Sequence, residues 1–186
     1  MKKEIENRIA ELGGRSAFNN DSLLNDLMSI SFNKSFLFAD FWDYLVDYDS
    51  FNQELLKKGF IEDVDVKCMQ FEFEVYLWTP FLAGSDDYET EMEGYLDDEI
   101  LNHVNSVITS DISELVVLGY MDLEKFFICL ADENPENPKV YRTDMEIPFS
   151  PIGGGVTVEG TLEDFLSKLL SQTEYKLAVK SHINSL

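Results

Sequence analysis

Between Cys68 and Glu124 the chain contains no lysine or arginine, yet it holds fourteen carboxylates: Glu72, Glu74, Asp86, Asp87, Glu89, Glu91, Glu93, Asp97, Asp98, Glu99, Asp111, Glu114, Asp122 and Glu124. Eight of them crowd into the run DDYETEMEGYLDDE at 86–99. Charges with no counter-ion nearby in sequence belong on a surface, so any fold of this chain must carry an acidic skin around an apolar interior. The formal net charge of -22 extends the same field over the whole molecule. Such a field attracts basic partners and repels nucleic acid and anionic membranes, at the cost of self-repulsion in the compact state.

The acidity does not signal disorder. Hydrophobic residues make up 45% and aromatics 13% of the 186 residues, enough to bury a substantial core in one domain spanning 1–186. No apolar run reaches the length needed to cross a bilayer. MKKEIENRIAEL alternates charge where a signal peptide would be apolar, so a cytoplasmic location is expected. Cys68 and Cys129 lie in apolar or alternating stretches and read as buried free thiols of a reducing compartment.

Periodicity divides the chain into elements. Ile5, Ile9 and Leu12 mark a short helix over 2–12 that Gly13-Gly14 stops, and 21–30 predicts a second, capped by Asp21 or Ser22. The recurrence of Phe38, Phe41, Trp42, Leu45, Val46 and Tyr48 at spacings of three and four predicts helix over 35–58, broken near Asp49-Ser50. Its aromatic stripe reads as core packing. CMQFEFEVYLW alternates as a strand, closed by Pro80 and Gly84, and 95–108 is amphipathic at helical spacing. ELVVLGYM and KFFICLA form a hairpin around Met121-Asp122-Leu123-Glu124. KVYRTDMEIPF is a further extended run. VTVEGTLEDFLSKLL then turns from strand to a closing helix, with Thr161 as N-cap and Leu162, Phe165, Leu166 and Leu169 as its buried face. Trp42, Phe73, Leu118, Phe165 and Leu166 are expected in the core. Helices followed by an antiparallel meander and a final helix make an α+β fold.

The C-terminal third resembles the SMI1/KNR4 superfamily, also called SUKH. The resemblance rests on Leu118-Gly119, Ile128-Cys129-Leu130, Val140-Tyr141, Asp144, Glu146 and Thr161-Leu162-Glu163-Asp164-Phe165-Leu166, which occupy the family's strand, hairpin, strand and final-helix positions. The N-terminal half lacks the family's proline-containing segment, and the acidic run at 85–99 is atypical. The resemblance implies an interaction domain rather than an enzyme. Bacterial members are commonly immunity proteins that bind and block a toxin, often a nuclease, which must itself be basic around its active site.

On this reading the partner-binding residues are Asp86, Asp87, Glu89, Glu91, Glu93, Asp97, Asp98 and Glu99, with Tyr88 and Tyr95 as apolar anchors. The partner is a basic protein, the cognate toxin, with no nucleic acid, membrane, metal or cofactor involved, and oligomeric state is open. A solvated loop that only aids solubility is the plainer use of the same run. Two other classes stand beside the binding reading. An acidic nucleic-acid mimic would space its carboxylates like phosphates, and a metal-dependent hydrolase would converge several of them on an ion. The run lacks the spacing of an EF-hand loop. His103 and His182 do not combine with the cysteines into a zinc or nucleophile pattern. The triplet Gly153-Gly154-Gly155 fits neither phosphate-loop signature and reads as a flexible turn. Lys168, Lys176 and Lys180 give the tail a basic turn that suits a helix C-terminus.

Overall fold

A computed structural model describes residues 1–32, 34–38, 74–83, 85, 108, 112–121, 124–143, 156–171, 173, 174 and 177. Helix α1 (Lys3–Glu11) and the short α2 (Leu23–Met28) precede strands β1 (Lys34–Phe38), β2 (Glu74–Leu82), β3 (Leu115–Met121), β4 (Glu124–Cys129), β5 (Lys139–Thr143) and β6 (Val156–Thr161). Helix α3 (Leu162–Lys168) follows, and the two-residue β7 (Leu169–Leu170) ends the series. The strands form one antiparallel sheet in the order β6-β5-β4-β3-β2-β1-β7.

That order fixes the shape. Six inter-strand spacings would hold the edges of a flat sheet roughly 29 Å apart. Yet β6 and β7, the two edges, are joined by a helix of seven residues, about 10 Å long. The sheet is therefore curled into a half-barrel, and α3 lies across its mouth against α1.

The helices form where capping and amphipathicity agree. Ser22 Oγ accepts from Asn25 N at the start of α2. Thr161 and Asp164 form a reciprocal capping box: Thr161 Oγ1 accepts from Asp164 N, and Asp164 Oδ2 accepts from Thr161 N at 3.0 Å. Gly13 and Gly14 stop α1 by returning their amides to Ala10 and Ile9 carbonyls. α1 and α3 run side by side in parallel. Lys2 Nζ meets Glu163 Oε2 at 3.0 Å near their starts, while Arg8 donates from Nε to Leu166 O and from Nη2 to Leu169 O near their ends. A guanidinium on the last carbonyls of α3 suits both the unpaired acceptors and the helix dipole.

The core lies on the concave side. Ile5 and Ile9 of α1, Leu27 of α2, alternate residues of the strands, and Leu162, Phe165, Leu166 and Leu169 form one buried cluster. At its centre Phe38, Phe126 and Phe165 form a triangle of rings with centroids 4.9 to 6.0 Å apart. A smaller cluster occupies the other face, where Phe81, Leu115, Val117, Phe127 and Cys129 alternate with the concave residues and Phe127 stacks on Tyr141.

Two irregularities bend the sheet. Register shifts between Val117 and Gly119, where a Cβ on Gly119 would stand 2.1 Å from the Tyr76 carbonyl oxygen. Only glycine permits that approach. In β6, Gly160 faces Val140 and Val158 faces Tyr141, so Glu159 is the extra residue of a bulge, with Gly160 at φ 116°.

The expected α+β class, both N-terminal helices, the 115–129 hairpin, the strand from Lys139 to Thr143 and the capped closing helix all stand in the structure. Leu118, Phe165 and Leu166 are buried as expected. Three expectations fail. Leu169, expected on the buried face of the closing helix, is buried but stands in β7, paired with Phe38, because α3 ends at Lys168. Residues 35–38 belong to strand β1 rather than to a helix, because Phe36, Leu37 and Phe38 are all buried, the mark of a strand covered on both faces. Pro80 does not close the next strand. β2 runs on to Leu82, and the proline, which has no amide to donate, falls where register with β3 shifts between Leu77 and Phe81. The expected helices over 39–58 and 95–107, together with Trp42, Phe73, Cys68, His103, His182, Asp144, Glu146, the glycine triplet, Lys176 and Lys180, lie outside the described residues.

Candidate partner-binding surface

All ten residues expected to bind a partner, Asp86, Asp87, Tyr88, Glu89, Glu91, Glu93, Tyr95, Asp97, Asp98 and Glu99, lie outside the described residues. The frame from which they depart is described. β2 ends at Leu82, Ala83 N donates to Leu115 O at 2.8 Å, and Ser85 closes a turn by donating from N and Oγ to Leu82 O. The chain returns at a single 3-10 turn, Ile112–Glu114, that leads into β3. Leu130 N donates to Glu114 O at 2.7 Å, so the acidic segment leaves and re-enters at one end of the sheet, where β2, β3 and β4 finish or begin.

More carboxylates stand at that same end. Glu114 and the β4–β5 loop with Asp132, Glu133 and Glu136 surround it, the last two exposed. Asp132 also has a local task, accepting from Asn134 N and Lys139 N to hold the loop. The negative field registers on two nearby groups. Burial, reinforced by Glu114 and Asp132 and opposed by a hydrogen bond with the Ala131 backbone, pushes the Cys129 thiol above its usual range. Burial and then Asp132 raise Tyr141 likewise. Cys129 is free and buried, packed in the smaller cluster beside Leu115 and Phe127.

The described cations are largely committed inside the fold. Lys2 pairs with Glu163 and Lys3 with Glu6. Arg8 Nη1 lies 3.2 Å from Glu11 and 3.1 Å from Glu174. Glu159, with its side chain 7% exposed, gathers Arg142 Nε at 2.9 Å and Lys168 Nζ at 3.4 Å, and Arg142 also reaches Glu124 at 3.3 Å. The Arg142 Nε contact is an ion pair without hydrogen-bond alignment. Lys168 further donates to the Glu159 carbonyl and lies over the Phe38 ring, so it clips β6 to α3 rather than merely facing the dipole of its own helix. Sequence reasoning missed this network, because nothing in the spacing of Glu124, Arg142, Glu159 and Lys168 tells which strands will be neighbours.

Described residues carry fifteen carboxylates against nine lysines and arginines, a net of -6. The other -16 of the molecule's -22 belongs to the remaining residues, with twenty-one carboxylates against five cations. Among the described residues no group of three His, Cys, Asp or Glu side chains is arranged to hold a metal ion. No described helix is long and apolar enough to cross a membrane. Comparison with family models, with curated proteins and with solved structures finds no match to this chain.

Proposed function

We propose that this chain is a non-enzymatic protein-binding domain of the SMI1/KNR4 type, an immunity protein that binds and neutralises a basic toxin, most naturally a nuclease, in the cytoplasm. The observation that carries this reading is the charge distribution. The described frame largely spends its cations in internal ion pairs, and a -22 molecule has none left over a long stretch to neutralise the 86–99 run. An inhibitor so charged is steered quickly onto a cationic active site and excludes the nucleic acid that site would otherwise grip. The order of hairpin, strand and capped final helix supports the kinship, since Leu118-Gly119, Ile128-Cys129, Val140-Tyr141 and residues 161–166 fall on those elements, while Asp144 and Glu146 lie outside the described residues.

The test is rescue. A toxin encoded directly beside this chain should be inactive in cells that co-express it and should co-purify with it at low salt. High salt should release the complex. Charge reversal of the eight carboxylates in 86–99 should abolish both effects. Wild-type protection by that variant would remove the assigned surface, and capture that is indifferent to salt would remove the electrostatic mechanism.

A further inference from the structure

Just ahead of α1, a positive charge meets a carboxylate that the fold has taken out of water. Asp26 is 2% exposed, and its two oxygens divide their work. Oδ1 accepts from the backbone amides of Asn19 at 2.9 Å and Asn20 at 3.2 Å. Oδ2 faces the α-ammonium of Met1 at 3.2 Å, and Asn20 Oδ1 accepts from the same nitrogen. Among the described residues this ammonium is the cation paired with Asp26. Removing the cation from a buried carboxylate is strongly destabilising, because two amide donors do not replace both the lost water and the lost counter-charge.

The local fold builds the receptor. Asn20 stands at φ 60°, a left-handed conformation that asparagine tolerates, and both its amide and its side-chain oxygen serve the pair. The ammonium is held from the other side as well. Lys2 N donates to Glu136 O at 3.1 Å, Lys2 Nζ meets Glu163, and Met1 packs against the main core. α1 has no side-chain cap at Lys2, and a positive charge at its start opposes the helix dipole, an opposition that Asp26 offsets. The position therefore asks for charge and not only for a donor. An acylated nitrogen keeps one N–H but carries nothing to neutralise Asp26.

We infer that the α-amino nitrogen of Met1, when free, is a structural cation of this fold, and that an acyl group or an added residue on it loosens the corner between α1 and α2. The chemical state of one nitrogen is thus read by Asp26 as the presence or absence of charge. This holds whatever partner the molecule binds.

The test compares the full chain bearing a free Met1 nitrogen with the same chain acetylated at that nitrogen alone. Acetylation should lower Tm by about 5 °C, the scale of losing one partner of a buried pair in a chain of this length. It should also speed hydrogen exchange at the Asn19 and Asn20 amides more than at Val116 and Ile128 of the central strands. One glycine added before Met1 keeps an N–H in place while moving the charge away, and that chain should melt near the acetylated form. Asp26→Asn removes the charge from the receptor, so in that background the free and acetylated chains should melt together. Equal melting of the two wild-type forms, a glycine-extended chain as stable as the free one, or a difference that survives in Asp26→Asn would overturn the inference. Should Asp26→Asn not fold, the wild-type pair still decides, since exchange that is not selectively faster at Asn19 and Asn20 would overturn it equally.

Discussion

The two edges of the sheet are finished by opposite means. At one edge, β6 carries a five-pair ladder to β5, and its outer side is interrupted by a bulge at Glu159, a left-handed Gly160, and Lys168 reaching back to the Glu159 carbonyl. These are the devices by which natural sheets discourage pairing with another chain. At the other edge, β7 pairs with β1 only at Leu37 and Phe38, and beyond it a groove of about 680 Å³ lined by Glu11, Ser171 and Glu174 opens. One edge is blunted, and the other is left as a recess with a polar wall. The single helix α3 links the two edges, because it starts on one and ends on the other.

The largest way to break this contrast is to remove the ring that connects the edges. Phe165 touches both Phe38 of β1 and Phe126 of β4, so Phe165→Ala should cost about 3–5 kcal/mol, measured by denaturant unfolding. Hydrogen exchange in the variant should accelerate at Leu37 and Phe38 together with β6. Loosening at only one edge would show that α3 does not couple them.

A smaller effect is expected at the blunted edge alone. Glu159→Ala removes the carboxylate shared by Arg142 and Lys168 and should destabilise by about 2 kcal/mol, since Arg142 is left with Glu124 only. Its signature is faster exchange along β6 with β7 unchanged. Stability equal to wild type would mean that the bulge by itself maintains the edge.

The mildest change addresses the start of α3. Thr161→Ala should cost about 1 kcal/mol, as lost N-caps do. The same box makes a statement about pH. Hydrogen bonds from the Thr161 backbone and hydroxyl hold Asp164 below its ordinary 3.8. Around Glu174, burial works upward but is outweighed by the Ser171 hydrogen bonds and by Arg8, so it too lies below its usual 4.5. Folded values lower than unfolded ones stabilise the native state above the unfolded pKa, and that contribution fades as pH falls through the folded value. Acid unfolding of wild type should therefore begin below about pH 4, and Asp164→Asn should flatten the profile in that window. An unchanged profile would show that the box carries no linkage.

How much of this was legible in the sequence depended on whether the signal was local. Ser22, Thr161 with Asp164, and Gly13-Gly14 announce helix ends because caps act within three or four residues. The hairpin around Met121-Asp122-Leu123-Glu124 was equally plain, as two short apolar runs in close succession. Phe36-Leu37-Phe38 was misread because a strand buried on both faces has no period of its own, and its apolar residues merged with the helical spacing that follows. Pro80 misled for a related reason, since a proline ends a regular ladder but is harmless at a register shift. The two-residue β7 has no signature at all. The charge network and the groove were illegible because each depends on which distant elements become neighbours. The acidic run was obvious in sequence, yet the described residues fix only where its ends attach.

Closing the half-barrel with α3, which follows β1 to β6 in the chain, orders events during synthesis. Residues 162–170 emerge from the ribosome after every strand from β1 to β6, and until they arrive the Phe38–Phe126 pair lacks Phe165 and β1 lacks its pairing with β7. A nascent chain halted before Leu162 would lack both contacts, and apolar rings short of a partner beside an incompletely paired strand are the combination from which aggregates grow. The arrival of residues 162–170, rather than any collapse before it, is the moment at which this part of the interior can close.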